Sequence, residues 1–167
     1  KFDQALENYN KAISLKPDYA DAYFNIGVAL KDQGKFDEAM DAYKKCILLK
    51  PNDPKVYNDM GDVLYSQGKL DEAIETFKKS ISLKPDYAEA HYNIGLALQY
   101  NDKSYESIKT YTKAISLKPD YAEAHYNLGL TLLHVGRLKE GLDEFEWRWK
   151  TSQFMSNKRC FIQPMWD

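Results

Sequence analysis

Apolar residues in this chain fall into helical stripes broken at even intervals. In "EAMDAYKKCILLK" (38–50) and "EAIETFKKSISLK" (72–84) they recur three and four positions apart, the spacing of one helix face. "QGK" at 33–35 and again at 67–69 supplies a glycine that ends a first helix. The helix that follows opens on acids, Asp37 and Glu38 or Asp71 and Glu72, where the helix dipole favours negative charge. It stops before a proline, which disfavours helical geometry in the residue ahead of it. Asp18, Asp86 and Asp120 stand where a helix cap is expected, each with an acid three residues on, and Asp53 precedes Pro54, which suits a first helical turn. The pattern predicts helix, turn, helix, turn.

That unit is repeated. Pro17, Pro51, Pro85 and Pro119 fall 34 residues apart, each followed ten residues later by a glycine: Gly27, Gly61, Gly95 and Gly129. "SLKPDYAEAHYNIG" (82–95) returns as "SLKPDYAEAHYNLG" (116–129). A fixed period of this size marks a stacked architecture, in which one helix pair cannot bury its own apolar face and each pair offers the next the surface it needs. The period divides the chain into a lone second helix (1–19), four units (20–53, 54–87, 88–121 and 122–150) and an aromatic-rich tail (151–167). The fold class is therefore all-α. Tyr9, Tyr43, Phe77, Tyr111 and Phe145 recur as packing aromatics.

Tyr23, Ile26, Gly27, Leu30, Ala39, Tyr43 and Pro51 stand in a pattern that resembles the tetratricopeptide repeat. The resemblance covers about nine tenths of the chain and implies a right-handed α-solenoid whose first helices line a concave groove. The last two units depart from the pattern: Asp102 replaces the turn glycine, Ser107 and Gly141 replace the small alanine of the second helix, and the fourth unit lacks the final proline.

Composition narrows the function. The 167 residues are 44% apolar and 29% charged, the balance of a folded domain. A net charge of -2 gives no general reason to bind nucleic acid. No apolar run is long enough to span a membrane. Cys46 and Cys160 lie in no metal or redox spacing, which fits a reducing, cytoplasmic setting, and each reads as a small buried apolar group. No nucleophile and base arrangement, phosphate loop or metal-ligand pair is present, so no catalytic residue, cofactor or metal is expected. His91 and His125 occupy one position in successive units and read as packing residues; His134 reaches toward the groove without a partner ligand.

Helical spacing places Asp21, Asn25, Val28 and Asp32 on the inward stripe of the first unit, then Lys55, Asp59, Asp62 and Ser66. The later units contribute Glu89, Asn93, Leu96 and Tyr100, then Glu123, Asn127, Leu130 and His134. Asn25, Asn93 and Asn127 form a column with Asp59 in the matching place. A carboxamide both donates and accepts, so such a column can pair with the backbone of an extended peptide whatever its sequence. It resembles the asparagine ladder of the O-linked N-acetylglucosamine transferase superhelix, where that ladder binds peptide. Solvation, or bracing of neighbouring helices, is the plainer alternative. Phe24, Tyr92 and Tyr126 offer flat contacts or packing between units, and Asn58 breaks their series. Six acids against Lys55 favour a basic ligand, with three of those acids open to use as caps.

Both ends look unfinished. Phe2, Leu6 and Ile13 of the leading helix face nothing unless another molecule covers them, which predicts end-to-end self-association. Trp147, Trp149, Phe154, Phe161 and Trp166 read as a segment that folds back or docks. The run from "FEWRW" through Arg159 and Phe161 to "PMWD" resembles the junction in bacterial proteins that join these repeats to a glycosyltransferase domain. The sequence thus predicts a non-enzymatic groove for an extended peptide or partner protein. The alternatives are the substrate-recruiting part of such a transferase and a self-assembling structural piece.

Overall fold

The structure, a computed structural model, describes residues 2–151, with side chains from residue 4 onward. After α1 (Phe2–Leu15) come α2 (Ala20–Asp32) and α3 (Phe36–Leu49), α4 (Pro54–Ser66) and α5 (Leu70–Leu83), α6 (Ala88–Tyr100) and α7 (Ser104–Leu117). α8 (Ala122–His134), α9 (Leu138–Phe145) and a 3-10 turn (Glu146–Lys150) complete it; no strand occurs among the described residues. Each helix packs on the next in the chain, and α2, α4, α6 and α8 also touch in succession, so the first helices form one continuous layer.

The turn inside each hairpin is the same four times. Gly34, Gly68 and Gly136 adopt φ of +74°, +76° and +82°, and Asp102 stands in the same left-handed region at +55°. The N–H of Lys35, Lys69, Lys103 and Arg137 reaches the carbonyl of Leu30, Leu64, Leu98 and Leu132 at 2.9 Å, a closure that satisfies a carbonyl at the helix end. The third turn therefore keeps its shape without glycine, because a short acidic side chain tolerates this region.

The turn between hairpins corrects one expectation. Asp18, Asp86 and Asp120 are not the caps: the N-cap position falls one residue later, on Tyr19, Tyr87 and Tyr121, and none of these makes a side-chain cap bond. Lysine, proline, aspartate and tyrosine form a β-turn closed by Tyr19 N–H to Lys16 O, with its counterparts at Tyr87 and Tyr121. The aspartate is thereby held in the turn. Asp53 does cap α4, accepting from Lys55 N–H at 3.0 Å.

Close approach within a hairpin depends on glycine. A Cβ on Gly27, Gly61 or Gly95 would lie 2.4 Å from the ring of Tyr43, Phe77 or Tyr111. Those three rings are fully buried, each worth about 1.5–3 kcal/mol of apolar burial, whereas Tyr9 and Phe145 are half-buried. In the last hairpin the backbone itself approaches. A Cβ on Gly129 would meet Phe145 N at 2.6 Å, and one on Gly141 would meet Leu133 at 2.8 Å, which explains glycine in place of alanine there. Ser107 fills the other alanine site fully buried, its hydroxyl donating to Gly95 O at 2.9 Å. Cys46 is buried, and burial pushes its thiol pKa up.

The two histidines take a structural place. Tyr57 Oη donates to Pro51 O at 3.1 Å, and His91 Nε2 and His125 Nε2 make the same bond to Pro85 O and Pro119 O at 3.1 and 3.0 Å.

Candidate binding groove

The expected groove residues lie on α2, α4, α6 and α8, and the column of Asn25, Asp59, Asn93 and Asn127 recurs once per hairpin. Its rungs differ in how they are held. Asn93 is buried and spends its amide on the preceding helix, donating to Asn58 Oδ1 at 3.1 Å and to Asp62 Oδ1 at 2.9 Å. Asn127 is half-buried and donates to Tyr92 Oη at 2.9 Å. Asn25 is half-buried, with no bond to a neighbouring helix among the described residues.

Asp59 and Asp62 share Lys31, whose Nζ stands 3.3 Å from Asp59 Oδ1 and 3.4 Å from Asp62 Oδ2. Burial opposes charge on Lys31, but the two carboxylates outweigh it and hold its pKa above the usual lysine value. With two acids for one ammonium the balance on the acids goes the other way. Burial pushes Asp59 up, and it pushes Asp62 up to about 6 against the pull of Lys31, with Asp59 and Glu89 adding to the rise. Sequence spacing missed Lys31, which lies beside the inward stripe of Val28 and Asp32 and so balances part of its acidity. It marked Asn58 only as a break in the row of rings and missed its role: Asn58 is 1% exposed and takes the Asn93 bond where the other hairpins carry a ring. Asp21 pairs with Lys50.

The neighbouring rings pack within hairpins, and Phe24 and Tyr92 also pack against the next hairpin. Phe24 lies 6.0 Å from Tyr43, Tyr92 5.8 Å from Tyr111 and Tyr126 5.4 Å from Phe145, centroid to centroid. Tyr92 also lies 4.9 Å from Tyr121, and burial pushes its hydroxyl pKa up to about 12. Leu96 is half-buried, and Tyr100, 73% exposed, meets the edge of Tyr65 at 6.3 Å.

At the first end, Leu6 and Ile13 are partly covered within the chain itself. α1 packs on α2 and leaves both half-buried, with Ile13 beside a cleft shared by Tyr23, Ile26 and Leu30. The Phe2 side chain lies outside the described residues. At the other end the 3-10 turn folds back on α8. Trp147 stacks on His125 at 3.9 Å and 5°, Lys150 covers Trp147 at 3.8 Å, and His125 Nδ1 pairs with Glu144. Trp149 is 58% exposed with the Arg148 guanidinium over its ring. Phe154, Phe161, Trp166 and Cys160 lie outside the described residues.

No group of three potential metal-binding side chains occurs among the described residues, and no helix there is long and apolar enough to cross a membrane. A family model described as TPR repeat matches residues 1–34, 61–102 and 105–136, more than half of the chain, and tetratricopeptide repeat models match 20–53 and 42–75. The chain belongs to the tetratricopeptide repeat family.

As a tetratricopeptide repeat protein it is a right-handed α-solenoid similar to several solved structures. MamA is 24% identical, with 94% of this chain and 92% of that chain covered at a TM-score of 0.79. YrrB, described as a TPR protein with an unusual peptide-binding site, is 21% identical, covering 91% and 78% at 0.70. The first TPR of Spaghetti (RPAP3), bound to the HSP90 peptide SRMEEVD, is 25% identical, covering 70% and 92% at 0.67. No curated protein matches the chain.

Proposed function

We propose that this chain is a non-enzymatic protein-interaction module that takes an extended peptide along the concave face of α2, α4, α6 and α8. The observation that carries the reading is the repetition of a polar column beside an apolar row. Asn25, Asp59, Asn93 and Asn127 recur in step, and the half-buried Val28, Leu96 and Leu130 run alongside with incompletely covered surface. Carboxamides at that interval can bond a peptide backbone while the apolar row receives alternate side chains. The peptide-bound RPAP3 repeat and the description of YrrB support a peptide as the ligand class.

The test uses Asn25→Ala with Asn127→Ala, leaving Asn93 in its bonds to α4. Screened by fluorescence anisotropy against a library of extended, end-blocked peptides, the double variant is expected to lose about tenfold in affinity for the peptides that wild type retains, as two lost hydrogen bonds warrant. Unchanged affinity would discard the column as the binding element. The transferase reading rests on the "FEWRW" to "PMWD" pattern, and the coding sequence after Asp167 tests it. Self-assembly through Leu6 and Ile13 predicts a mass that rises with concentration in sedimentation.

A further inference from the structure

We propose that the groove between α2 and α4 holds a subsite for one cationic side chain of the bound peptide, formed by Asp59, Asp62 and the hydroxyl of Tyr43, with Lys31 at its edge. This rests on the groove reading and gives its ligand a chemistry.

The first support is an unpartnered hydroxyl. Tyr43 is 0% exposed, and its Oη has no hydrogen-bond partner among the described residues. Its counterpart two units on, Tyr111, is equally buried but donates to Gln99 Oε1 at 2.7 Å. Lys31 occupies the register position of Gln99, but an ammonium cannot accept, and its Nζ reaches across to α4 instead. By that register the Tyr43 hydroxyl belongs at the level of Lys31, the residue that bonds Asp59 and Asp62. Burial, then the charges of Asp59, Asp62 and Asp32, push its pKa up.

The second support is the charge balance. Lys31 straddles two carboxylates at 3.3 and 3.4 Å, longer than the roughly 2.7–2.9 Å of a closed charge-assisted bond. One ammonium against two acids leaves the cluster net negative, and Asp32 and Glu89 add to the field.

The third support is that the second unit departs from its siblings to make this patch. Asp62 replaces the apolar Val28, Leu96 and Leu130, and Asn58 replaces the rings Phe24, Tyr92 and Tyr126. These are half-buried or buried positions in an otherwise apolar row, not a solvated face. The ligand group that suits them donates hydrogen bonds to carboxylates and to a phenol oxygen and brings a positive charge. A guanidinium or an ammonium does both; a carboxylate or phosphate is repelled, and a neutral amide leaves the charge uncompensated.

The experiment takes an end-blocked extended peptide retained by the wild-type groove and compares arginine, lysine and citrulline at each position in turn by anisotropy. At one position, arginine or lysine is expected to bind about tenfold tighter than citrulline, the size of a partly desolvated charge pair. Asp59→Asn and Asp62→Asn should each collapse that preference to about twofold or less. Tyr43→Phe, which keeps the packing, should reduce it about threefold, while Asp41→Asn on the exposed face of α3, an equal change in net charge, should preserve it. Circular dichroism checks the fold of each variant. If citrulline binds as well as arginine and lysine at every position, the subsite falls and the groove stands. If no peptide of the library binds wild type, both fall.

Discussion

The inner face between α2 and α4 and the inner face between α6 and α8 are written in one 34-residue register, yet their chemistry has diverged. At the first, a lysine crosses to two carboxylates, an asparagine replaces a ring, and a buried phenol finds no partner among the described residues. At the second, rings pair with rings, the equivalent phenol is satisfied by a glutamine, and leucine lines the row. The backbone tolerates both because its demands are met elsewhere, by the turn closures and by the glycine contacts beneath the rings. A solenoid of this kind separates what must be kept from what can vary.

The largest effect expected from breaking this comparison is at Asn93. Removing it with Asn93→Ala severs two bonds to α4 and strands the Asn58 carbonyl, so denaturant unfolding should show a loss of about 2–4 kcal/mol. Asn127→Ala should cost about 1 kcal/mol, and Asn25→Ala should stay within about 0.5 kcal/mol. Equal losses at the three would mean that the rungs are interchangeable.

Next in size is a pH effect confined to the first region. Asp62, facing Lys31, Asp59, Glu89, Asn58 and Asn93, has its pKa raised from 3.8 to about 6. The folded state therefore holds the proton more tightly than the unfolded state, and stability contributed by the protonated form is lost as pH rises from about 4 to 6. A decline on the order of 1 kcal/mol is expected across that window, and Asp62→Asn should flatten it. A wild-type slope unchanged in the variant would remove Asp62 as its source.

The matched pair Tyr111→Phe and Tyr43→Phe gives a smaller and sharper contrast. The first loses a hydrogen bond, about 1 kcal/mol; the second removes a hydroxyl that has no partner and should be neutral or stabilising by up to about 1 kcal/mol. Smallest of all, Asp102→Gly should gain about 0.5 kcal/mol by relieving a left-handed backbone in a non-glycine residue, read as a rise in Tm.

Much of the fold was legible because its determinants are periodic. Prolines and glycines at a constant interval mark most of the turns between helices, and the departures at Ser107 and Gly141 need only a hydroxyl bonded to a nearby carbonyl and a tighter helix pair. The Asp18, Asp86 and Asp120 caps were misread because an aspartate after proline fits a β-turn as well as it fits a cap, and the local letters do not decide between them. The inward stripe was legible by helical spacing. The direction of the Asn93 donors was not, since it depends on how far one hairpin is offset from the next. One signal for the charged cluster does lie in the letters. Hydroxyl-bearing Tyr43 and Tyr111 go with Lys31 and Gln99, while Phe77 and Phe145 go with Tyr65 and Leu133.

The bonds from Tyr57, His91 and His125 to Pro51, Pro85 and Pro119 have a mechanical consequence. Each fastens a hairpin to the joint before it, at a residue whose ring has already stiffened the chain. A pull on the two ends would then find few soft hinges, and the strain would spread as a slight change of pitch along the whole coil, like that of a wound spring.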